Sequence, residues 1–223
     1  MLVGDIMTEN VVAIGPDMPI ADVSALMAQR CVRHFPIVSS DAGARLIGIV
    51  SDRDLRVVGS DHPDARLDVG IRDPVRRIMQ APVWTAHPLE PIEEAAKAMR
   101  QRNIGAMPVM RGDELVGIVT ANDLLEALVR MTGVHEGVTR IEVELPNRPG
   151  AIAGLLDRIA SRNYSVASVL TTKSEPDATT FVLRVGALDS RGLAGSLREA
   201  GYTVLWPPAQ PGHDRPRATT TAS

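Results

Sequence analysis

The stretch Gly48-Ile49-Val50-Ser51-Asp52-Arg53-Asp54 recurs, in altered form, as Gly117-Ile118-Val119-Thr120-Ala121-Asn122-Asp123. Each version leads from a glycine through an apolar pair to a hydroxyl residue, and an aspartate follows three residues later. The apolar pair is typical of a buried strand end. The hydroxyl residue is typical of the position that begins a helix. The sequence therefore contains an internal repeat in which a strand runs directly into a helix.

The repeat extends well beyond these two stretches. Residues 3–38 align with residues 75–110 at a constant offset of 72 (75 minus 3), and residues 46–55 align with residues 115–124 at an offset of 69 (115 minus 46). The change of offset falls in a polar turn, where insertions are tolerated. Hydrophobic spacing predicts the order strand, helix, strand, turn, strand, helix in each copy. The first of these strands is predicted at residues 11–14 and 83–85.

The last helix of the second copy carries apolar residues at helical spacing. Ala121, Leu124, Leu125 and Leu128 stand at positions i, i+3, i+4 and i+7. We therefore expect all four to share one face of the helix, which could pack against its counterpart.

The repeated pairs, Ser51 with Asp54 and Thr120 with Asp123, admit two interpretations. As capping boxes they would stabilise two helix starts by about 1 kcal/mol each. As parts of a ligand site, the hydroxyl and the free amides of a helix start would suit a phosphate, and the carboxylate would accept hydrogen bonds from both hydroxyls of a ribose. Residue types and spacing alone leave both interpretations open.

Taken together, the repeated motifs resemble a tandem pair of CBS (cystathionine β-synthase type) motifs over about residues 1–130. The resemblance implies an intramolecular pair that binds AMP, ADP, ATP or S-adenosylmethionine in the cleft between the copies. At the matching positions it implies that Asp54 and Asp123 hold the ribose, and that Ser51 and Thr120 lie near the phosphates. Besides the opening stretch and its repeat, the residues that carry the likeness are Asp5-Ile6-Met7-Thr8, Phe35-Pro36-Ile37-Val38, Ile78-Met79 and Met107-Pro108-Val109.

Cationic residues distinguish the first copy from the second. Arg33, His34 and Arg53 align with a glycine, an alanine and an asparagine of the second copy. Because arginine suits fork-like phosphate recognition, we expect the cleft edge near these three residues to receive the phosphates of a nucleotide. The alternative is that Arg33 and Arg53 are solvated residues at helix ends.

The C-terminal third has a different pattern. Residues 140–145 alternate between apolar and charged, which predicts a half-buried strand, and Pro146-Asn147-Arg148-Pro149-Gly150 predicts a turn with Pro149 in the first turn of the next helix. Two β-prone runs, a second helix and a final strand follow. The resulting order, βαββαβ, is ferredoxin-like.

This order and the turn resemble an ACT domain over about residues 138–206. The resemblance implies side-by-side pairing of two ACT domains and an amino acid or similar small ligand near Asn147, Arg148, Pro149 and Gly150. The alternative is that the turn only begins a helix. Asn163-Tyr164-Ser165 stands where many ACT domains have a glycine-containing turn.

The predicted fold class is α/β of the α+β kind, with tandem CBS motifs forming an intramolecular pair, followed by a ferredoxin-like ACT domain. A proline-rich C-terminus without large apolar residues predicts a disordered tail. We predict CBS motif 1 at residues 1–58, a linker at 59–73, CBS motif 2 at 74–130, a linker at 131–137, the ACT domain at 138–206 and the tail at 207–223.

Composition argues against several classes of function. The 223 residues carry 24 basic and 27 acidic side chains, and this net charge of −3 gives no general attraction to nucleic acid or to an anionic membrane. We find no long apolar stretch and no secretion signal, so we expect a cytoplasmic protein. One cysteine excludes an internal disulfide framework and a multi-cysteine metal site. That residue, Cys31, has apolar neighbours, which predicts a buried structural thiol.

The sequence contains none of the common catalytic or phosphate-loop motifs, and its histidines are dispersed. We therefore expect no enzyme, no metal and no cofactor. The resemblances to CBS and ACT domains imply a regulatory homodimer that senses an adenosine-containing nucleotide and an amino acid or small metabolite, and that modulates a metabolic partner. The combination of domains is similar to the acetoin-utilisation family of bacterial proteins, which implies a link to acetoin or central carbon metabolism. Two alternatives are a structural dimerisation module without a ligand and an enzyme with an unrecognised site.

Overall fold

A computed structural model of the chain describes residues 1–41, 43–58, 68–134, 137–187 and 189–209. The chain divides into two compact units, Met1–Ala127 and Leu128–Ser223. Most of the first predicted linker and most of the predicted tail, residues 59–67 and 210–223, lie outside the described residues. Within the described ranges, none of the helices has the length and the apolar character that crossing a bilayer requires.

The first unit contains two copies of one arrangement. In each copy a helix leads into an antiparallel two-stranded hairpin, and a second helix begins where the hairpin ends. The predicted helix starts after Ser51 and Thr120 are confirmed. The first copy comprises α1 (Ile20–Arg30), β1 (His34–Val38), β2 (Leu46–Ser51) and α2 (Asp52–Arg56), and the second comprises α3 (Ile92–Arg102), β3 (Ala106–Arg111), β4 (Glu114–Thr120) and α4 (Ala121–Met131).

The first predicted strand of each copy is wrong in extent. In the first copy one parallel bridge forms, from Ile14 to Ile37, and in the second the corresponding bridge, from Ala86 to Val109, lies one residue after the predicted strand. A proline follows two residues after Ile14 and after Ala86, and its missing N–H cannot extend a ladder of hydrogen bonds.

The segment that begins each copy packs on the other copy. A 3₁₀ turn at Val3–Asp5 buries Val3 completely in the core of the second copy, and a matching turn at Val75–Arg77 buries Val75 in the core of the first. Each core is therefore completed by the other copy, and the two copies form one unit.

Backbone pairing continues this exchange five residues after each valine. Thr8 and Ile118 are joined by two backbone hydrogen bonds of 2.9 and 3.0 Å, and Gln80 and Ile49 are joined by two of 2.8 and 3.1 Å. Positions 8 and 80 are thus structurally equivalent, and each lies on the last strand of the opposite copy.

Two glycines allow these segments to approach. A Cβ placed on Gly117 would lie 2.6 Å from Met7 Sδ and 3.1 Å from the carbonyl oxygen of Thr8. A Cβ on Gly48 would lie 3.0 Å from Met79 Cγ and closer still to its sulfur. The glycine of the repeated motif is therefore required by the methionine of the opposite copy.

The four residues predicted to form one apolar face share one side of α4, but that side is not uniformly buried. Leu124 is buried with Ala127 against the core, whereas Leu125 and Leu128 are 62% and 43% exposed. The four residues span about 100° of the helix surface, with Leu124 at the edge that meets the core, Leu125 at the opposite edge and Leu128 between them, so exposure rises across the face.

The prediction of a buried Cys31 is also wrong. Cys31 caps the C-terminus of α1 in the left-handed conformation (φ 54°), and its thiol is exposed. A residue at this cap position leaves the helix surface that faces the core, which explains the exposure.

The second unit has the predicted ferredoxin-like order. The elements are β5 (Thr139–Pro146), α5 (Ala151–Ala160), β6 (Val166–Ser174), β7 (Ala178–Val185), α6 (Ser190–Glu199) and β8 (Thr203–Trp206). The four-stranded antiparallel sheet has the strand order β6-β7-β5-β8, and both helices cover one face through a core that includes Ile141, Leu155 and Leu197. The first helix begins at Ala151, so Pro149 precedes its first turn instead of lying in it.

We predict that Gly117→Ala lowers the free energy of unfolding by about 1–3 kcal/mol, because the added methyl group meets the backbone of Thr8 as well as a side chain. Urea unfolding followed by circular dichroism measures the change. The matched control is Gly195→Ala in α6, where a Cβ would meet no atom within 4 Å. This control should be neutral or stabilising by up to about 1 kcal/mol. Equal effects of the two substitutions would contradict the prediction.

Candidate functional site

Both hydroxyl and carboxylate pairs form capping boxes. Asp54 Oδ2 accepts hydrogen bonds from Ser51 N (2.8 Å) and Ser51 Oγ (2.6 Å), and Asp54 N donates to Ser51 Oγ at 3.4 Å. Asp123 Oδ2 likewise accepts from Thr120 N and Thr120 Oγ1 (2.7 Å each), and Asp123 N donates to Thr120 Oγ1 at 3.4 Å. All four residues are half-buried. The carboxylates are therefore held in fixed positions where β2 and β4 end.

The backbone amides at these helix starts are largely occupied. The first amide of α2, from Asp52, donates to the carbonyl of Arg33, and the first amide of α4, from Ala121, donates to the carbonyl of Gly105 (3.0 Å each). The third amide of each helix is the capping contact to the hydroxyl. A phosphate at either helix start would consequently depend more on side-chain cations than on free amides.

The second oxygen of each carboxylate has a different environment in the two copies. Asp54 Oδ1 accepts a hydrogen bond from the side-chain amide of Gln80 (Nε2 to Oδ1, 2.8 Å). At the equivalent place Thr8 is too short to reach so far, and no described residue donates a hydrogen bond to Asp123 Oδ1. The two carboxylates therefore differ in the acceptor capacity that they leave for a ligand.

The three residues of the first copy that were expected to meet a phosphate have different environments. His34 pairs across the hairpin with Ser51 and reaches the second copy, where its Nε2 lies 3.3 Å from the position of a Cβ on Gly105. Arg33 is exposed and close enough to influence the charge of His34. Arg53 is exposed on α2 and forms no hydrogen bond or ion pair with any residue in the described ranges.

The environment of His34 disfavours its charged form. Burial lowers the pKa of His34 below its ordinary value, and the nearby Arg33 lowers it further. The carboxylates of Asp52 and Asp54 act in the opposite direction but do not offset the burial. His34 is therefore mainly neutral at pH 7.

A cavity of about 500 Å³ lies at the opposite end of the first hairpin. None of the predicted nucleotide-binding residues lines it, and sequence reasoning missed it because its lining belongs to no motif. Pro82, which lines this cavity, follows two residues after Gln80, and the side chain of Gln80 is hydrogen-bonded to Asp54. The lining residues are Arg45, Leu46 and Ile47 from the first copy, and Pro82, Val83, Thr85, Met110, Gly112 and Asp113 from the second.

The second unit contains a cavity of about 350 Å³ beside the predicted ACT turn. Arg148 and Gly150 line this cavity, whereas Asn147 and Pro149 do not. Asn147 instead ties the turn to the β6–β7 connection, because its Nδ2 donates to the carbonyl of Glu175 at 2.9 Å. Sequence reasoning missed the other lining residues, which are Glu144, Leu145, Pro146, Ala151, Gly154, Gly201, Tyr202 and Thr203.

Gly150 adopts a conformation that most residues avoid. Its φ of 82° places it in the left-handed region at the N-cap of α5.

In the part of the chain that the structure describes, no group of three or more His, Cys, Asp or Glu side chains is placed to hold a metal ion.

Two sequence profiles match the chain. The CBS domain profile matches residues 3–60 and 75–130, and the TTHA0829-like ACT domain profile matches residues 137–206. Among curated proteins, the chain is 33% identical over 124 residues to homoserine O-acetyltransferase of Methanohalobium evestigatum. This match covers 55% of the chain but only 23% of the length of the enzyme.

Solved structures with similar folds cover the first unit. One is the CBS domain pair of protein MJ0100 in complex with 5′-methylthioadenosine and S-adenosyl-L-methionine, with 26% identity and a TM-score of 0.50 over 57% of this chain and 95% of that one. Another is a Vibrio cholerae protein designated AcuB, for acetoin utilization, with 30% identity and a TM-score of 0.50 over 60% of this chain and 94% of that one.

We predict that His34→Gln removes a pH dependence of stability. In the unfolded chain the histidine has its ordinary pKa of 6.5, whereas folding lowers the pKa of His34. As the pH falls through 6.5 the unfolded chain binds this proton more readily than the folded protein, so wild type loses stability. Above pH 6.5 this loss of stability is absent. Urea unfolding at pH 8, 7, 6 and 5 should show wild type losing stability relative to the variant on acidification. Parallel curves for the two proteins would contradict the assignment.

Proposed function

Because this chain belongs to the CBS-domain family and carries an ACT domain after its CBS pair, we propose that it is a regulatory protein that binds an adenosine-containing nucleotide. The predicted tandem CBS pair and ACT domain are confirmed. Both kinds of domain are regulatory modules, while the absence of catalysis in this chain stays a prediction.

The duplicated carboxylates Asp54 and Asp123 carry the proposal. Each is half-buried and held by its own cap, and each retains acceptor capacity that the fold does not use. A ribose supplies two adjacent O–H donors, which is the complement of a fixed carboxylate. The adenosyl ligands of the MJ0100 CBS pair support the same class of ligand here.

The first copy is the proposed phosphate side. Arg33, His34 and Arg53 supply the charge that the occupied helix-start amides lack. His34 is mainly neutral in the free protein, and a phosphate beside it would favour its protonated form. Nucleotide binding at this edge would then take up a proton. Ser51 and Thr120 contribute by holding the carboxylates of Asp54 and Asp123, to which their hydroxyls donate hydrogen bonds.

The proposed mechanism is a shift between two arrangements of a homodimer. A ligand shifts such an equilibrium only by its difference in affinity for the two arrangements. Leu125, Leu128 and Val129 give α4 an exposed apolar surface that suits contact with a second copy. The controlled partner and a cytoplasmic location stay predictions. A link to acetoin or central carbon metabolism also stays a prediction, and the likeness to AcuB is its support.

A second candidate function concerns the ACT unit. Its cavity is lined by both Arg148 and Glu144, an opposite-charge pair suited to the carboxylate and the ammonium group of a free amino acid. We propose that the ACT domain binds an amino acid there.

We predict that Asp54→Asn with Asp123→Asn lowers AMP affinity about tenfold or more, because hydrogen bonds to charged groups are worth about 1.5–3 kcal/mol. Isothermal titration calorimetry measures the affinity. The matched control is Asp22→Asn on the exposed surface of α1, which should bind AMP as wild type does. The ligand 2′,3′-dideoxy-AMP lacks both ribose hydroxyls and should bind wild type as weakly as AMP binds the double variant. Unchanged AMP binding by the double variant would reject the ribose role.

We predict that a panel of free amino acids contains at least one that raises the thermal midpoint of wild type, since a ligand at 100 times its Kd adds about 2.7 kcal/mol of stability. Arg148→Ala should abolish the shift. Arg158→Ala, an exposed position farther along α5 that lies outside the cavity lining, should retain it. No shift with any amino acid, or equal shifts in both variants, would reject the ACT pocket.

A further inference from the structure

The two carboxylate sites differ at one equivalent position. Gln80 and Thr8 occupy the same place in the exchange between copies, because each forms two backbone hydrogen bonds with the last strand of the opposite copy. Each therefore stands beside the carboxylate that follows that strand. The copies present a long amide side chain at one site and a short hydroxyl side chain at the other.

The two carboxylates differ in the number of hydrogen bonds that they can still accept. A carboxylate offers about four acceptor positions. Asp123 uses two of them for its cap and keeps about two, which matches the two O–H donors of a ribose. Asp54 uses two for its cap and a third for Gln80 Nε2, so about one acceptor position remains.

We infer that Gln80 is a specificity-determining residue that makes the two sites unequal, so that a neutral adenine nucleoside binds first at Asp123 and more weakly at Asp54. This inference rests on the proposed function. At Asp54 the nucleoside must displace the Gln80 amide or bind through one hydroxyl. At Asp123 both hydroxyls find acceptors without displacing a protein group.

The same arrangement separates two kinds of ligand. A nucleoside without phosphate gains nothing from Arg33 and His34, so its preference follows the carboxylates alone. A nucleotide gains electrostatic attraction at the first copy, which offsets the loss caused by Gln80. The pair is therefore built to fill its sites in different orders with neutral and with phosphorylated adenosine ligands.

The test uses adenosine, the full chain and calorimetry, with one carboxylate removed at a time. In the Asp123→Asn background only the Asp54 site remains, and Gln80→Thr should raise adenosine affinity about tenfold or more, the equivalent of one hydrogen bond to a charged group. In the Asp54→Asn background Thr8→Gln should lower affinity by a similar factor. Both substitutions are at exposed positions and leave the backbone pairing in place.

A third variant separates hydrogen bonding from size. Gln80→Met keeps the length of the side chain but removes its donor, so in the Asp123→Asn background it should gain affinity as Gln80→Thr does. If Gln80→Met behaves as glutamine does, or if Gln80→Thr changes nothing, the inference is wrong although the proposed function stands. Stronger adenosine binding at Asp54 than at Asp123 in the single Asn variants would also overturn it. If wild type binds neither AMP nor adenosine, the proposed function fails and takes this inference with it.

Discussion

The exchange of initial segments between the two copies is the constraint on which the first unit depends. Val3 and Val75 each complete the core of the opposite copy, and the methionines that follow lie on Gly117 and Gly48. Neither copy has a complete apolar core alone. The exchange therefore explains why the motif keeps glycine in front of its apolar pair, where a side chain would exclude the methionine.

The same exchange places chemistry at the candidate site. Because residues 8 and 80 pair with the strands that end at Thr120 and Ser51, each carboxylate has a neighbour contributed by the other copy. A ligand held by either aspartate would lie against both copies at once. Its binding energy would then depend on how the copies are arranged, which is the physical requirement for a sensor.

The sequence predicted the fold well because its signals were repeated and local. Ser51 and Thr120, each followed three residues later by an aspartate, predict the two helix starts. The alternation of apolar and charged residues over 140–145 predicts the first strand of the second unit. The sequence could not show that Val3 packs in the core of the second copy, or that Gln80 forms a hydrogen bond with Asp54, 26 positions away. It also could not show that Leu124 is buried while Leu125 is exposed on α4. These features arise from packing between distant segments. Asn163, in contrast, takes the left-handed conformation (φ 60°) that makes glycine common in such turns, and asparagine tolerates this conformation.

The most direct measurement is a crystal structure of the chain grown with adenosine. We expect a ribose whose hydroxyl oxygens lie within hydrogen-bonding distance, about 2.5–3.0 Å, of the Asp123 carboxylate, with Gln80 still bound to Asp54. Adenosine bound at a place remote from both carboxylates, or at Asp54 alone, would contradict the proposed ribose role of Asp123.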